Sequence, residues 1–435
     1  MTGSDRRRAG TTLRTMSAAL VVLVALAVWG ESGAAQPLEL WIRGNSAHLE
    51  HLAPIIDEFN ASQDRIRVNI RPGGEGIEAM TAAYLAGELP DILESAVAFN
   101  HYYSAQGWMA SLEPFIAREG EDFLRDFFPA TLDSDNRVNG VLYSLPIFLQ
   151  IEGMYYNPEI LANYGMAEPQ PGWTWDDLRA MARQARRFAS DGTIETWGLV
   201  ARHPFQFDAV LVGQVGGYFI TPDYEVAVDS EPVRRTYTWI MDMVGEESLH
   251  YIAGIHTNGP NDEGRAHRSA FVSDATYRQH TWTQLESPLR TAPPLRADLA
   301  SEPKTRFSDR SLAIMNVAPE RQEAAWEFIK FVLQPEQLAR LNASLGYPPA
   351  TISAAQHPIF LEYARANPNI LIWSEMYSTI APVQTWPAAL QAEVMDPLVE
   401  ASRALVRQEI SLAQFISDLE TRLSAIVREH LAHRR

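Results

Sequence analysis

The chain has 435 residues, 46% hydrophobic and 21% charged, the proportions of a globular protein with a full core rather than of a disordered one. Its 36 basic residues face 54 acidic ones, a net charge of −18, and setting aside the N-terminal 35 residues leaves 32 against 52. So acidic a chain argues against nucleic acid, whose binding depends on clustered Lys and Arg releasing counterions, and against an anionic membrane surface. It contains no cysteine, which excludes disulfides, thiolate zinc sites, thiol catalysis and a lipidated N-terminal cysteine. Lys304 and Lys330 are the only lysines, and neither sits in a GxxxxGK[ST] loop, so no P-loop is present.

Residues 1–35 combine a basic stretch from Arg6 to Arg14, an apolar run from Ala18 to Trp29, and the small residues Gly33, Ala34 and Ala35. That is the layout of a secretory signal cut after Ala35. An uncleaved anchor would need about 20 apolar residues, and this run has about a dozen. The arginine cluster lacks the apolar residues that follow a twin-arginine signal, so the general secretory route is expected. With no lipobox cysteine and no later run long enough to span a bilayer, the expected product is a soluble, monomeric chain of 400 residues, two domains' worth, held in a bacterial periplasm.

From Leu38 to Arg43 the sequence reads as a strand, then Gly44-Asn45-Ser46 turns into an amphipathic helix from His48 to Asn60. The alternating run 65–71 predicts a second strand, Ile77 to Leu85 a helix, Pro90 to Leu93 a short strand and Phe99 to Met109 another helix. Strands alternating with helices predict a parallel sheet covered on its faces. Leu145-Pro146-Ile147 continues the strand pattern despite its proline. Thr174, with Asp177 three residues on, predicts a capping box for a long helix. Ser269 to Val272 reads as a strand, and 323–333, 335–345 and 390–428 as amphipathic helices.

Several fragments in this order resemble one family. WIRGN at 41–45, PDILESA at 90–96, AQGWMASLEPF at 105–115 and NGVLYSLPIFLQIEGMYYNPEIL at 139–161 are followed by PGWTWDDL at 171–178, TWGLV at 196–200, GGYF at 216–219, AAWEFIKFVLQPEQLARLNASLGYPPA at 324–350 and LAQFISDLETRLSAIV at 412–427. They are similar to successive landmarks of the maltose-binding-protein-like extracellular solute-binding proteins (family 1) of ABC sugar importers. The resemblance implies the two-lobed α/β periplasmic-binding-protein fold (type II), hinge-connected, with the ligand cleft between the lobes. It places 37–146 plus 304–343 in lobe one and 147–303 plus 344–435 in lobe two. The chain departs from the family pattern at 264–270, and around Ser308-Asp309-Arg310, where relatives carry a Gly-Gly pair.

A sugar offers hydroxyls on its edge and apolar C–H faces, so its site needs planar polar side chains and aromatic platforms. By position in the matching motifs, the candidates in lobe one are Arg43 and Asn45 after the first strand, Glu94 and Ser95 after PDIL, and Gln150 past the first crossover. In lobe two they are Arg202, His203, Gln206 and Phe207, then Asp274, Thr276 and Tyr277, with Trp373, Tyr377 and Trp386 in the late aromatic segment. Each has an alternative reading: a polar residue after a strand also caps a turn, and a tryptophan also fills a core. The pair His48 and His51 lacks the HExxH spacing and reads as helix surface.

The expected function is the substrate-binding component of an importer, which takes a carbohydrate, sugar or polyol, by hinge closure and hands it to an inner-membrane ABC permease, with no cofactor, metal or catalysis. Two alternatives stay open. One is a receptor for glycerol phosphate or another small anion, with Arg43, Arg202 and Arg310 as candidate clamps. The other is an exported glycoside hydrolase, which would need two opposed carboxylates that no motif marks.

Overall fold

Strand β1, Gln36–Arg43, buries Leu38, Leu40 and Ile42. Helix α1, Ser46–Ser62, returns along the sheet with Leu52, Ile55, Ile56 and Phe59 inward, the i, i+3, i+4, i+7 spacing of one helical face. Strand β2, Ile66–Gly73, and, after helix α2, Ile77–Ala86, strand β3, Ile92–Ala96, pair in parallel with β1 on either side, Leu38 opposite Val68 and Trp41 opposite Leu93. The computed structural model describes residues 35–43, 46–73, 76–96, 99–120, 122–132, 136–201, 204–251 and 266–432. The leader lies outside them, and among the described residues no helix is long and apolar enough to cross a membrane.

Strand β4, Ser144–Tyr156, is the longest, and β5, Ile194–Ala201, β6, Ser269–Ala275, and β7, Phe307–Ile314, follow. They continue the sheet in the order β2-β1-β3-β7-β4-β6-β5. The sheet is mixed rather than parallel throughout: β7 runs antiparallel to both β3 and β4, and β6 antiparallel to β4 but parallel to β5. A crossover helix forces a strand back in the same direction, and β7 re-enters the first lobe from the second without one. Pro146 sits within β4 where the pairing with β7 shifts between Arg310 and Ser311, since a proline has no N–H to give the ladder.

Two large cores flank the crossover. The first holds β1 to β3, β4 through Ile151 and again at Tyr155, Val272 of β6, and the faces of the helices Pro319–Val332 and Pro335–Leu345; the second holds the helices Trp175–Ala185, Glu231–Gly245, Gln391–Val406 and Leu412–Ala432. The resemblance put 344–435 together in lobe two. Within that segment Leu345, Tyr347, Phe360, Ile370, Trp373 and Ile380 pack in the first core, which also takes in Tyr155, Val272, Trp282 and Leu289, and Trp386 packs in the second. An amphipathic stripe records that a helix has a buried face, not which sheet lies under it. The helix expected over 99–109 is shortened to Asn100–Ala105, because Gly107 turns the chain at φ 72° and sends Trp108 and Met109 inward. The capping box is present, with Asp177 Oδ2 accepting from Thr174 N at 2.8 Å and Thr174 Oγ1 from Asp177 N at 3.3 Å.

Candidate functional site

Of the thirteen residues of β4, only Gln150 and Gly153 are partly exposed, and they mark the place where the strand leaves one core for the other. Gln150 is held there from both sides. Ser308 Oγ on β7 donates to its Oε1 at 3.2 Å, and Tyr377 Oη donates to its carbonyl at 3.1 Å. Two residues back along the same face, Phe148 stacks on Tyr347, 4.5 Å between ring centres, and meets the edge of His48 at 5.1 Å. His48 Nδ1 lies 2.8 Å from Glu94 Oε1, and both are buried. His48 is in the first turn of α1 and Glu94 on β3, so the carboxylate lies beside a helix N-terminus, which favours negative charge. Burial pushes the Tyr347 phenol up to about 12, with Arg310, Gln150 and Arg278 opposing that rise and Glu94 adding to it. One phenol therefore feels side chains from β3, β4 and β7 and from the turn after β6.

The opposite face of the same strands is closed. Ser95 Oγ donates to Asn100 Oδ1 at 2.7 Å, Asn100 Nδ2 to Ser144 Oγ at 2.8 Å, and Asn136 Nδ2 to Asp309 Oδ2 at 2.5 Å. Glu94 and Ser95, neighbours in sequence, thus lie on opposite faces, as alternation along a strand requires.

On the second lobe's side Asp274 is buried with its Oδ2 3.9 Å from Arg278 Nε. Thr276 Oγ1 accepts from Ile151 N at 3.1 Å and donates to Leu149 O at 3.3 Å, which ties it to the backbone on either side of Gln150. Tyr277 packs partly buried on the first core. Gln206, on helix Pro204–Gln214, is half-buried with an Oε1 that is shut off from solvent. Asn45, Arg202 and His203 lie outside the described residues, and of Arg43 the backbone alone is described. The two tryptophans stand apart from this set. Trp373 is fully buried against Gly153, where a Cβ would come within 2.5 Å of its ring, and against Tyr155. Trp386 lies in the second core, with Phe219 at 6.1 Å and its Nε1 donating to Gln391 Oε1 at 2.8 Å.

Three members of the site escape sequence reasoning. His48 reads as helix surface, yet it is buried. Arg278 lies in no motif, and Tyr347, although inside the 324–350 landmark, is not singled out there; the available signal for it is an aromatic residue between Gly346, which ends a helix at φ 75°, and Pro348.

Beside the site, Glu152 of β4 is 7% exposed. Burial pushes its carboxyl up to about 8, with Arg306 opposing and Asp274 adding to the rise. It borders a cavity of about 40 Å³ that Met154, Phe207, Gln214, Lys304 and Met376 also line. That space holds a water or two and no sugar ring.

Two α/β lobes that share a strand, with polar side chains collected at the crossing, define the fold of the periplasmic binding proteins. The family model for bacterial extracellular solute-binding protein matches residues 54–386, and the chain belongs to that family. Among solved structures, the cyclic α-maltosyl-1,6-maltose binding protein from Arthrobacter globiformis superposes with a TM-score of 0.75 at 20% identity, over 91% of this chain and 100% of that one. The sugar-binding protein MalE from the phytopathogen Xanthomonas citri gives 0.75 at 18%, over 91% and 98%. UgpB from Mycobacterium tuberculosis, in complex with glycerophosphocholine, gives 0.73 at 16%, over 91% and 100%. By sequence, the multiple sugar-binding protein of Streptococcus mutans is 24% identical over 164 residues, 37% of this chain, and the chain spans 37% of the length of that relative. At these identities the solved structures show the fold alone.

Proposed function

We propose that this chain is the substrate-binding component of an ABC importer. It is exported to the periplasm, acts as a monomer, takes a carbohydrate between its lobes by hinge closure, and delivers it unchanged to an inner-membrane permease. Within the solute-binding proteins this reading places it among the maltose-binding-protein-like members of family 1. The observation that carries it is the single partly exposed polar residue of the crossover strand, Gln150, set between Tyr347 and Glu94 of one lobe and Asp274 and Arg278 of the other. Side chains on both sides of a hinge grip a ligand together only when the lobes close. Support for a sugar comes from the relatives, two of whose solved structures are of sugar-binding proteins by name. Delivery without chemistry is supported by the pairing of the site's carboxylates: Glu94 is engaged by His48 and Asp274 faces Arg278, whereas a glycosidase needs two acids free to face the scissile bond.

The test is calorimetry of the mature chain from Gln36 against a panel of neutral oligosaccharides, polyols and acidic sugars, with the solution analysed for products afterwards. One solute bound per chain and recovered intact supports the reading; product in excess over protein overturns it. Sequencing the N-terminus of the exported protein tests the compartment, with Gln36 or a near neighbour expected.

A further inference from the structure

Arg310 lies on β7 between Ala96 of β3 and Phe148 of β4. Side chains alternate along a strand, so Arg310 shares a face with Ser308, and across the ladder with Glu94, Phe148 and Gln150. Asp309 and Ser311 point the other way, into the network around Asn136. Arg310 is partly exposed as a residue, but its Nε and Nη1 are shut off from solvent and have no hydrogen-bond acceptor among the described residues. A guanidinium cannot shed its proton to escape this, and a buried charge without a partner is costly.

The surrounding carboxylates are otherwise engaged. Glu94 is 2.8 Å from His48, Asp274 faces Arg278, and Asp309 accepts from Asn136 and Ser311. Glu152, with its carboxyl raised to about 8, is mostly neutral at pH 7. The face that presents Gln150 therefore holds two shielded guanidinium nitrogens with no acceptor among the described residues, inside a chain whose overall charge is strongly negative.

We propose that Arg310 receives an oxyanion carried by the ligand, a carboxylate or a phosphate, beside Gln150, so that the site selects an acidic sugar over its neutral counterpart. The proposal rests on the reading of this chain as a solute receptor. It adds a charge requirement to that reading: shielded guanidinium nitrogens match an oxyanion better than they match a hydroxyl.

Calorimetry of the mature chain with methyl glucuronide, glucose 6-phosphate, methyl glucoside and inorganic phosphate tests it, on the parent, Arg310→Gln and Arg310→Lys, with melting curves to confirm that each variant is folded. The expected result is that the anionic sugars bind more tightly than the glucoside by about 10- to 100-fold. Arg310→Gln abolishes that preference, Arg310→Lys retains part of it, and added salt reduces it. Preference for the glucuronide over the sugar phosphate identifies the carboxylate, and the reverse the phosphate. Equal binding of the glucoside, or a preference that survives in Arg310→Gln, overturns the proposal while leaving the receptor reading intact. Binding of inorganic phosphate that Arg310→Gln loses, with no sugar bound, upholds the anion site and removes the carbohydrate reading. If none of the four probes binds the folded parent, the anion site fails, and the panel of oligosaccharides and polyols decides the receptor reading by itself.

Discussion

One buried and one half-buried charged side chain of this protein meet opposite treatment. In the second lobe Asp208, fully buried, accepts from Tyr237 Oη at 2.9 Å, from Ser402 Oγ at 2.7 Å and from Tyr251 Oη, donors drawn from three separate elements. Burial still outweighs them and raises its carboxyl to about 6. At the junction of the lobes Arg310 has two shielded nitrogens and, among the described residues, no such escort. The first arrangement closes on itself and specifies how helices and strands of one lobe dock; the second leaves donor capacity unused among the described residues. Full satisfaction marks a polar group as architectural, and its absence at a cleft marks a group aimed at something else.

The contrast is sharpest for the aromatic residues, and the largest effect belongs to Trp386. Its ring fills the second core, so Trp386→Ala is expected to cost about 3–5 kcal/mol of stability, read from denaturant melts, with ligand affinity preserved in the folded fraction. Stability held while affinity falls would move this ring into the cleft, where the sequence had placed it.

Asp208→Ala removes the common acceptor of three buried hydroxyls and is expected to cost about 2–4 kcal/mol without touching ligand affinity. A loss under 1 kcal/mol would show that the hydroxyls re-pair among themselves, and that satisfaction is a poor marker of architecture.

Glu152 tests the hinge strand through pH. Its folded carboxyl is raised to about 8, so its contribution is fully present below the ordinary carboxylate range and is lost as pH rises through about 8. Stability should therefore fall between pH 6 and pH 8 by on the order of 1–3 kcal/mol, and Glu152→Gln should flatten that slope. Parallel slopes for parent and variant would show that the group is ionised in the fold.

The smallest effect is that of Gln150→Ala. Because the residue is partly exposed, little stability should be lost, while affinity for the ligand found by calorimetry drops by about 0.5–1.5 kcal/mol, the net worth of a neutral hydrogen bond. Loss of stability without loss of affinity would reassign Gln150 to the architecture, with Asp208.

Much of this was legible in the residues alone. Strand–helix alternation, the inward stripe of α1, the capping box at Thr174 and Asp177 and the volume for two cores are local, because backbone period and caps involve residues within a turn or two of one another. The motif order led to Glu94, Gln150, Asp274 and Thr276, which the fold brings to the same junction. Local sequence did not say which core Trp373 and Trp386 would fill, since a tryptophan's neighbours in sequence are not its neighbours in space. Nor did it say that the helices Pro358–Ala366 and Asn369–Thr379 would join the first core, or that His48 would turn inward to Glu94, 46 residues away. Those outcomes depend on sheet order: once β7 enters between β3 and β4, Arg310 is set against Phe148 and Ala96, and a side chain that the sequence offered as one of three candidate clamps is left with two shielded nitrogens that have no acceptor among the described residues.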